Sequence, residues 1–498
     1  MKIGIITAVV FIISTINGWF IPVSGGEQAE TDRASILADA AETPPNILVI
    51  YVDDMGYGDL GCYGSKTETP QIDQLAANGT RFTNYLSAAN VCSPSRAALL
   101  TGRYPTRCGL PVCPNGKEPL WNKHVGLPPD EITIAELLQG QGYATAAFGK
   151  WHLGNLQPYG PLKQGFDEYQ GALYNFPVGK KNVWLDNEKP RDKIRFADAH
   201  QRLTDATINF MKKQQAAEKP FFIYLSHYLV HGPWSPNKEF CTAVEWESVK
   251  NKKGKMNPTA LPAMVRELDH HVGLVLQSLK DLDIENETLV VLASDNGPWL
   301  PAGSAKPFSG GKYTTMEGGH RVPAIVRWPQ HVTAGKVSNE MVSALDMLPT
   351  IAAASGVTLP TDRTYDGFNL LPLLTGETTQ SPREDFVYYN GLRLEAVRQG
   401  PWKLHLARQP AGAVYWQKSP KGGHFKLDNA ILNLLTDDPA ENKDLAAKNP
   451  DEVTRLQTLA KQTRVELGDW DQDGSDRHAI TYPGDLQKKQ KPKKEKVR

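Results

Sequence analysis

The chain has no excess of charge, very little cysteine and no second long apolar run. Lys and Arg together number 55 in 498 residues, and so do Asp and Glu. Zero formal net charge lacks the basic field of a general nucleic-acid binder, so nucleic acid is not an expected partner. Beyond the apolar stretch that ends at Val23, nothing is long enough to cross a bilayer, so no stable membrane partner is expected. Internal repeats are absent, which sets aside repeat architectures. The cysteines are Cys62, Cys92, Cys108, Cys113 and Cys241 only.

At the start, Met1-Lys2 precedes an apolar run from Ile3 to Val23, interrupted by Ser14, Thr15 and Asn17, with small residues at Ser24-Gly25-Gly26. This pattern predicts a secretory signal peptide over 1–25, cleaved near Gly25, with an uncleaved membrane anchor as the alternative. Residues 26–45 are small and polar and read as a linker.

Asn46 to Val52 is a nearly continuous apolar run rich in β-branched residues, the pattern of a strand buried on both faces of a parallel sheet. Asp53 and Asp54 follow at once. The pattern recurs with different chemistry. Tyr143 to Phe148 leads to Lys150 and His152, Phe221 to Ser226 leads to His227 and His231, and Thr288 to Ala293 leads to Asp295 and Asn296. Helical segments lie between, at Ile72 to Asn78, Thr133 to Gln139, Ala197 to Lys213 and Pro262 to Leu279. Alternation of this kind implies an α/β fold with a mostly parallel sheet and helices on both faces. Ligands bind along the C-terminal edge of such a sheet, where all these polar residues fall.

Pro262 to Leu279 carries an apolar stripe at helical spacing, and its His270 and His271 read as structural or surface residues. Gly310 to Gly319 is a glycine-rich loop with one lysine, Lys312, and lacks the spacing of a nucleotide-binding loop. Arg321 to Trp328 reads as a strand and Met341 to Ala354 as a helix. The large domain is expected over 46–377. Residues 378–475 then read as an α+β subdomain, with short strands at Phe386–Tyr389, Leu394–Arg398, Trp402–His405 and Ile431–Leu435 and a helix at Asp451–Glu466. Residues 476–498 form a tail, basic from Lys488 onward, whose composition suits disorder.

Cys92 to Arg103 carries the most specific signal. Ser93 could cap a helix here, Pro94 suits its first position, and Gly102 would end it. Cys92 would then lie at the positive end of the helix dipole, with Arg96 one turn on. Asp53, Asp54, Asp295 and Asn296 offer hard oxygens, the donors that select Ca²⁺ or Mg²⁺ over zinc. Lys150 and Lys312 add cations, and His152 and His231 are candidate proton carriers. Together these groups suit an anionic, tetrahedral group.

The run Cys92-Ser-Pro-Ser-Arg96-Ala-Ala-Leu-Leu-Thr-Gly102 resembles the signature of the formylglycine-dependent sulfatases of the alkaline phosphatase superfamily. Within these, the whole pattern is similar to the arylsulfatase and galactosamine-6-sulfatase branch. The resemblance is strong from Asn46 to Gly376 and loose beyond. It implies that a maturation enzyme converts Cys92 to formylglycine. It also implies that Asp53, Asp54, Cys92, Asp295 and Asn296 hold a metal, usually Ca²⁺, with Mg²⁺ as the lesser alternative. Arg96 would hold the hydrated aldehyde, while Lys150, His152, His231 and Lys312 would bind sulfate and move protons. Asn175 stands where relatives often carry a serine. The implied activity is hydrolysis of a sulfated saccharide or an aryl sulfate in an exported protein, whether periplasmic, secreted or lysosomal. A phosphonate or phosphate-ester hydrolase and a non-catalytic binder of sulfated glycans are the alternatives. With Cys92 consumed, four cysteines remain, and Cys108 and Cys113 are close enough in sequence to bridge a small loop.

Overall fold

Asn46–Val52 forms strand β1, buried along its whole length. Its side chains alternate between faces. Ile47, Val49 and Tyr51 enter one apolar cluster, and Leu48, Ile50 and Val52 enter another. This is why the strand reads as an unbroken apolar run: neither face meets water.

The computed structural model describes residues 44–114, 126–154, 158–176, 183–191, 194–252, 257–408 and 427–478. The expected signal peptide, the linker as far as 43 and the tail from 479 lie outside them. Among the described residues, no helix is long and apolar enough to cross a membrane.

The other strands before the C-terminal region are Thr80–Phe82 (β2), Tyr85–Leu86 (β3), Ala144–Gly149 (β4), Glu168–Ala172 (β5), Trp184–Asp186 (β6), Lys189–Pro190 (β7), Phe221–Ser226 (β8), Thr288–Ser294 (β9), Ala324–Arg327 (β10), Lys336–Ser338 (β11) and Val342–Ser343 (β12). Nine of them with β1 make one sheet in the order β11-β2-β10-β9-β1-β8-β4-β5-β6-β7. From β9 to β5 the neighbours are parallel, with Ile50 level with Leu225 on one side and Leu292 on the other. The helices Phe196–Ala216 and Leu261–Asp281 cover one face through Leu203 and Leu268. Cys92–Thr101 and Met347–Ala354 cover the other through Leu99 and Ile351. The α/β architecture is therefore the expected one.

Asp385–Asn390 (β13), Arg393–Gln399 (β14), Trp402–His405 (β15) and Ile431–Leu434 (β16) form a separate antiparallel sheet in chain order, with the helix Pro450–Leu467 against β14 and β15. Its apolar side shares a cluster with Leu86, Ala98 and Tyr104 of the large region.

Two expectations need correction. Met341 to Ala354 is not one helix. Val342–Ser343 pairs with Tyr85–Leu86, and the helix starts only at Met347. The Asp346 carboxylate accepts the Ser343 N–H at 2.7 Å and so fixes a turn ahead of the helix. The Cys108–Cys113 disulfide does not form, since all five cysteines are free thiols. The turn that bonds Cys108 N–H to Tyr104 O and Leu110 N–H to Pro105 O directs the Cys108 sulfur to the Pro105 carbonyl at 3.8 Å, while Cys113 lies by Ser93.

Candidate active site

Strand pairing runs on past the C-terminal ends of β1, β8 and β9 and so fixes the residues just beyond them. The Asp53 N–H donates to Leu229 O at 3.1 Å, Val230 N–H to Asp53 O at 2.8 Å, and Asp295 N–H to Val52 O at 2.9 Å. On β4, Gly149 has φ 111°, and a Cβ there would lie 1.8 Å from Ser226 O. Only glycine permits that approach, which lets Lys150 N–H donate to the same carbonyl at 2.9 Å. Asp54, His152 and Tyr313 hold left-handed φ values of 62°, 57° and 75°. Each such residue costs roughly 1–3 kcal/mol, strain that clusters at functional sites.

The helix bearing Cys92 begins at that residue, two positions earlier than expected, and ends at Gly102 with φ 65°. Val91 occupies the N-cap position and no side chain caps it, so the role proposed for Ser93 is not filled, and Pro94 stands at the third helical position. Cys92 still sits at the positive end of the dipole.

Around it the predicted residues converge. One donor atom each from Asp53, Asp54 and Cys92 lies within 4.8 Å of the others. The Cys92 sulfur is 3.5 Å from Asp53 Oδ1 and 3.3 Å from Lys312 Nζ. Lys150 Nζ donates to Asp53 Oδ2 at 2.7 Å and Lys312 Nζ to Asp54 Oδ1 at 2.5 Å. Arg96 is fully buried. It donates to Asp295 Oδ2 at 2.6 Å, to the Tyr224 hydroxyl at 3.3 Å and to Ser226 Oγ, and its guanidinium lies over the Tyr51 ring. A buried cation held on so many sides is a fixed element of the site.

The electrostatics follow from this packing. Burial pushes the Asp53 carboxyl up, but Lys150, His231, Arg96 and Lys312 together hold it well below the usual range. Asp295 is pushed up to about 6 by burial, with Arg96 opposing. Burial raises the Cys92 thiol well above its ordinary value despite the two lysines, so as cysteine it is a neutral thiol. Burial, then Lys150 and Arg96, hold His152 well below its ordinary value and keep the ring neutral.

The two histidines differ. His152 Nδ1 is buried with no hydrogen-bond partner, and the ring stands edge-on to Tyr174. His231 Nδ1 lies 2.7 Å from Gly232 O, which can only accept, so Nδ1 carries a proton and Nε2 faces Asp54 Oδ2 at 3.8 Å. His227 goes elsewhere. It stacks on His200 at 5.0 Å, with His271 6.1 Å away, in a buried cluster behind the sheet edge. His271 is structural, as expected, and is bonded to Thr204 Oγ1. Asn175 lies two residues past Leu173, whose carbonyl accepts the His152 N–H at 2.8 Å.

The donor set fits a hard cation. Asn296 Nδ2 donates to Asp54 Oδ1 at 2.8 Å and Gly297 O at 2.9 Å, leaving Asn296 Oδ1 buried without a hydrogen-bond partner. An orphaned amide oxygen beside Asp53, Asp54 and Asp295 is an oxygen-only set of the kind Ca²⁺ takes.

Three contributors carried no signal in the sequence. Ser226 and Tyr224 hold Arg96 but read simply as part of the β8 run. Glu317, five residues past Lys312, anchors the lysine loop through partners far along the chain. Only its place inside the glycine-rich loop could have pointed to it.

The sulfatase family profile matches residues 45–357, and a profile of the C-terminal region of aryl-sulfatases matches 381–480. The chain belongs to the sulfatase family. It is a sulfuric ester hydrolase. This sulfatase is 38% identical over 399 residues to N-acetylgalactosamine-6-sulfatase of Canis lupus familiaris, covering 75% of this chain and 74% of that one. It is 35% identical over 486 residues to arylsulfatase A of Homo sapiens, covering 86% and 90%. Among solved structures, Ps i-CgsB in complex with k-i-k-neocarrahexaose superposes with a TM-score of 0.74 at 29% identity, covering 88% of this chain and 95% of the other. The PsFucS1 sulfatase from Pseudoalteromonas sp. gives 0.73 at 26% identity, covering 89% and 94%.

Proposed function

We propose that this sulfatase removes sulfate from a sulfated saccharide, in an exported protein whose Cys92 is matured to formylglycine and whose cation is Ca²⁺. The observation that carries the reading is the position of Cys92. Its sulfur is 3.5 Å from Asp53 Oδ1 and 3.3 Å from Lys312 Nζ, within a group of hard oxygen donors. Sulfur is the wrong donor for such a set, and an oxygen at residue 92 would complete it. The Cys-x-Pro-Ser-Arg run supports the same modification. A saccharide substrate is supported by the relatives named for N-acetylgalactosamine-6-sulfate chemistry and by the neighbour solved with a neocarrahexaose. Export is supported by the Met1-Lys2 start and the apolar run to Val23.

In this reading Asp53, Asp54, Asp295 and Asn296 hold the cation, which supplies positive charge against the sulfuryl oxygens. The hydrated aldehyde at residue 92 supplies two hydroxyls, one to attack sulfur and one whose deprotonation expels sulfate. Lys150 and Lys312 bind the sulfuryl oxygens as preorganised charges. Arg96, locked by Asp295, Tyr224 and Ser226, orients residue 92. His231 Nε2 gives a proton to the leaving alcohol; burial holds the ring below its ordinary value, while Asp53 and Asp54, the latter at 3.8 Å, pull the other way. His152, kept neutral by burial and Lys150, takes the proton from the second hydroxyl.

Peptide mass analysis of protein made with the maturation enzyme tests the reading. Residue 92 should be lighter than cysteine, whereas ordinary thiol oxidation would make it heavier. Thiol alone at this position together with full sulfatase activity would refute it. Hydrolysis of phosphate diesters faster than sulfate esters would favour the phosphate-ester alternative.

A further inference from the structure

Beside the loop that carries His231 lies a cavity of about 400 Å³, within the size range of small-molecule sites. Its wall includes Trp234, Pro236, Lys238, Trp246, Lys250 and Asn257. Trp234 comes three residues after His231, and its Nε1–H donates back to Val230 O at 3.1 Å. Its ring meets that of Trp299 at 4.9 Å, and Trp299 comes three residues after Asn296. The Trp299 loop is itself tied to the lysine loop, because Lys312 N–H donates to Pro298 O at 2.9 Å. The aromatic wall is thus continuous with two loops of the reaction centre and is held by both.

The far wall has a different character. Trp246 is half-buried on the helix Ala243–Lys252, and Lys238 Nζ lies over its ring at 6.0 Å. Lys250 is exposed on the same helix, where its one ion pair among the described residues is to Glu247 at 3.5 Å. Lys238 has no carboxylate partner among the described residues. Two indoles, two lysines and an amide in one cavity suit a ligand with flat C–H faces and negative charge. A pyranose lays its C–H face on an indole, and a lysine answers a sulfate or carboxylate. His231 is the residue placed beside the leaving alcohol, so the cavity lies on the side of the sugar, away from the sulfuryl group.

We propose that this cavity is a subsite for a second, anionic sugar unit, joined to the sugar that bears the cleaved sulfate. The inference rests on the saccharide reading above and adds to it that the enzyme recognises an oligosaccharide.

Steady-state kinetics on three substrates test it: nitrophenyl sulfate, N-acetylgalactosamine 6-sulfate, and an acidic tetrasaccharide carrying that sugar. Trp246→Ala should lower kcat/KM on the tetrasaccharide by about tenfold, mainly through KM, and leave the two small substrates within about twofold. The double change Lys238→Glu with Lys250→Glu should do the same, more strongly at low salt. Trp246→Phe should restore most of the loss. Unchanged nitrophenyl sulfate turnover shows that each variant is folded. If the wild type cleaves the tetrasaccharide and both variants match it, the subsite is refuted and the saccharide reading stands. If the wild type cleaves nitrophenyl sulfate but neither saccharide, both are refuted. Equal losses on all three substrates would assign Trp246 to the fold and overturn the proposal.

Discussion

Glu317 and Lys403 form a buried ion pair 3.0 Å long that joins the lysine loop of the active site to the C-terminal sheet. The same carboxylate accepts from the Tyr388 hydroxyl at 2.7 Å and from Arg398 at 3.2 Å, while Glu441 Oε2 accepts the Glu317 N–H at 2.6 Å. Burial would push the Glu317 carboxyl up, but Lys403, Arg398 and Arg321 hold it well below its ordinary range. The C-terminal subdomain is therefore a brace for Lys312. Glu317→Gln leaves Lys403 and Arg398 buried with less charge to answer them. It should cost about 3 kcal/mol, the range for breaking a buried pair from one side, and lower kcat through a misplaced Lys312. Denaturant unfolding and kinetics on nitrophenyl sulfate measure the two effects. Wild-type values of both would show that the brace is idle.

The buried histidines set a pH dependence of stability. Burial lowers His200 to about 3 and His271 to about 4, and it lowers His227 well below its ordinary value. The folded protein keeps these rings neutral, while the unfolded chain protonates them near 6.5. Below that pH the unfolded state binds more protons, so stability present above about 6.5 is lost as pH falls towards 4. Each ring that withholds its proton contributes roughly 1.4 kcal/mol per pH unit in that window. His200→Phe, which keeps a ring to stack on His227, should flatten the fall in melting temperature between pH 7 and pH 5. An unaltered slope would mean that other groups dominate acid unfolding.

Much of this was legible in the sequence, because a parallel sheet buried on both faces writes its strands as apolar runs. β1, β4, β8 and β9 could be read directly, and the residues after each run had to meet at one sheet edge. β6 and the edge strand β7 are only three and two residues long, too short to carry a period. The Met341 to Ala354 stretch misleads because its first turn is set by the Ser343 N–H donating to Asp346, not by apolar spacing. Ser226 and Glu317 were invisible for another reason. Their partners Arg96, Lys403 and Glu441 lie 130, 86 and 124 residues away, and nothing local marks the pairing. The cysteine pair misled by proximity alone, since closeness in sequence says nothing of where two sulfurs point.

Cation removal should abolish activity. Lys150 and Lys312 pair with Asp53 and Asp54, so the fold should survive chelation while turnover does not. Added Ca²⁺ should restore the rate and raise the melting temperature, by about 2.7 kcal/mol of stabilisation at a hundredfold excess over its dissociation constant. Asp54→Ala should lose both responses. Full activity after verified metal removal would reject the cation.

The two histidines should separate by leaving group. His231 Nε2 faces Asp54 and belongs to the loop that continues into Trp234, which the proposed mechanism sets on the side of the departing alcohol. A sugar alkoxide is a poor leaving group and needs a proton as its bond to sulfur breaks, whereas nitrophenolate leaves with little help. His231→Ala should therefore slow a sugar sulfate by about 10²–10⁴-fold, the usual worth of general acid catalysis, and nitrophenyl sulfate much less. In the proposed mechanism His152 acts after the alcohol has gone, on the hydroxyl that expels sulfate. Its loss should slow both substrates alike and leave sulfate attached to residue 92, where peptide mass analysis finds it. Solvent pH provides an independent check. His152 is neutral because burial and Lys150 disfavour its charged form, so its contribution as a base should persist well below pH 6.5. Equal losses on both leaving groups for His231→Ala would remove it as the acid. A His152→Ala enzyme with no sulfated residue 92, and with a rate loss confined to sugar sulfates, would reverse the two assignments.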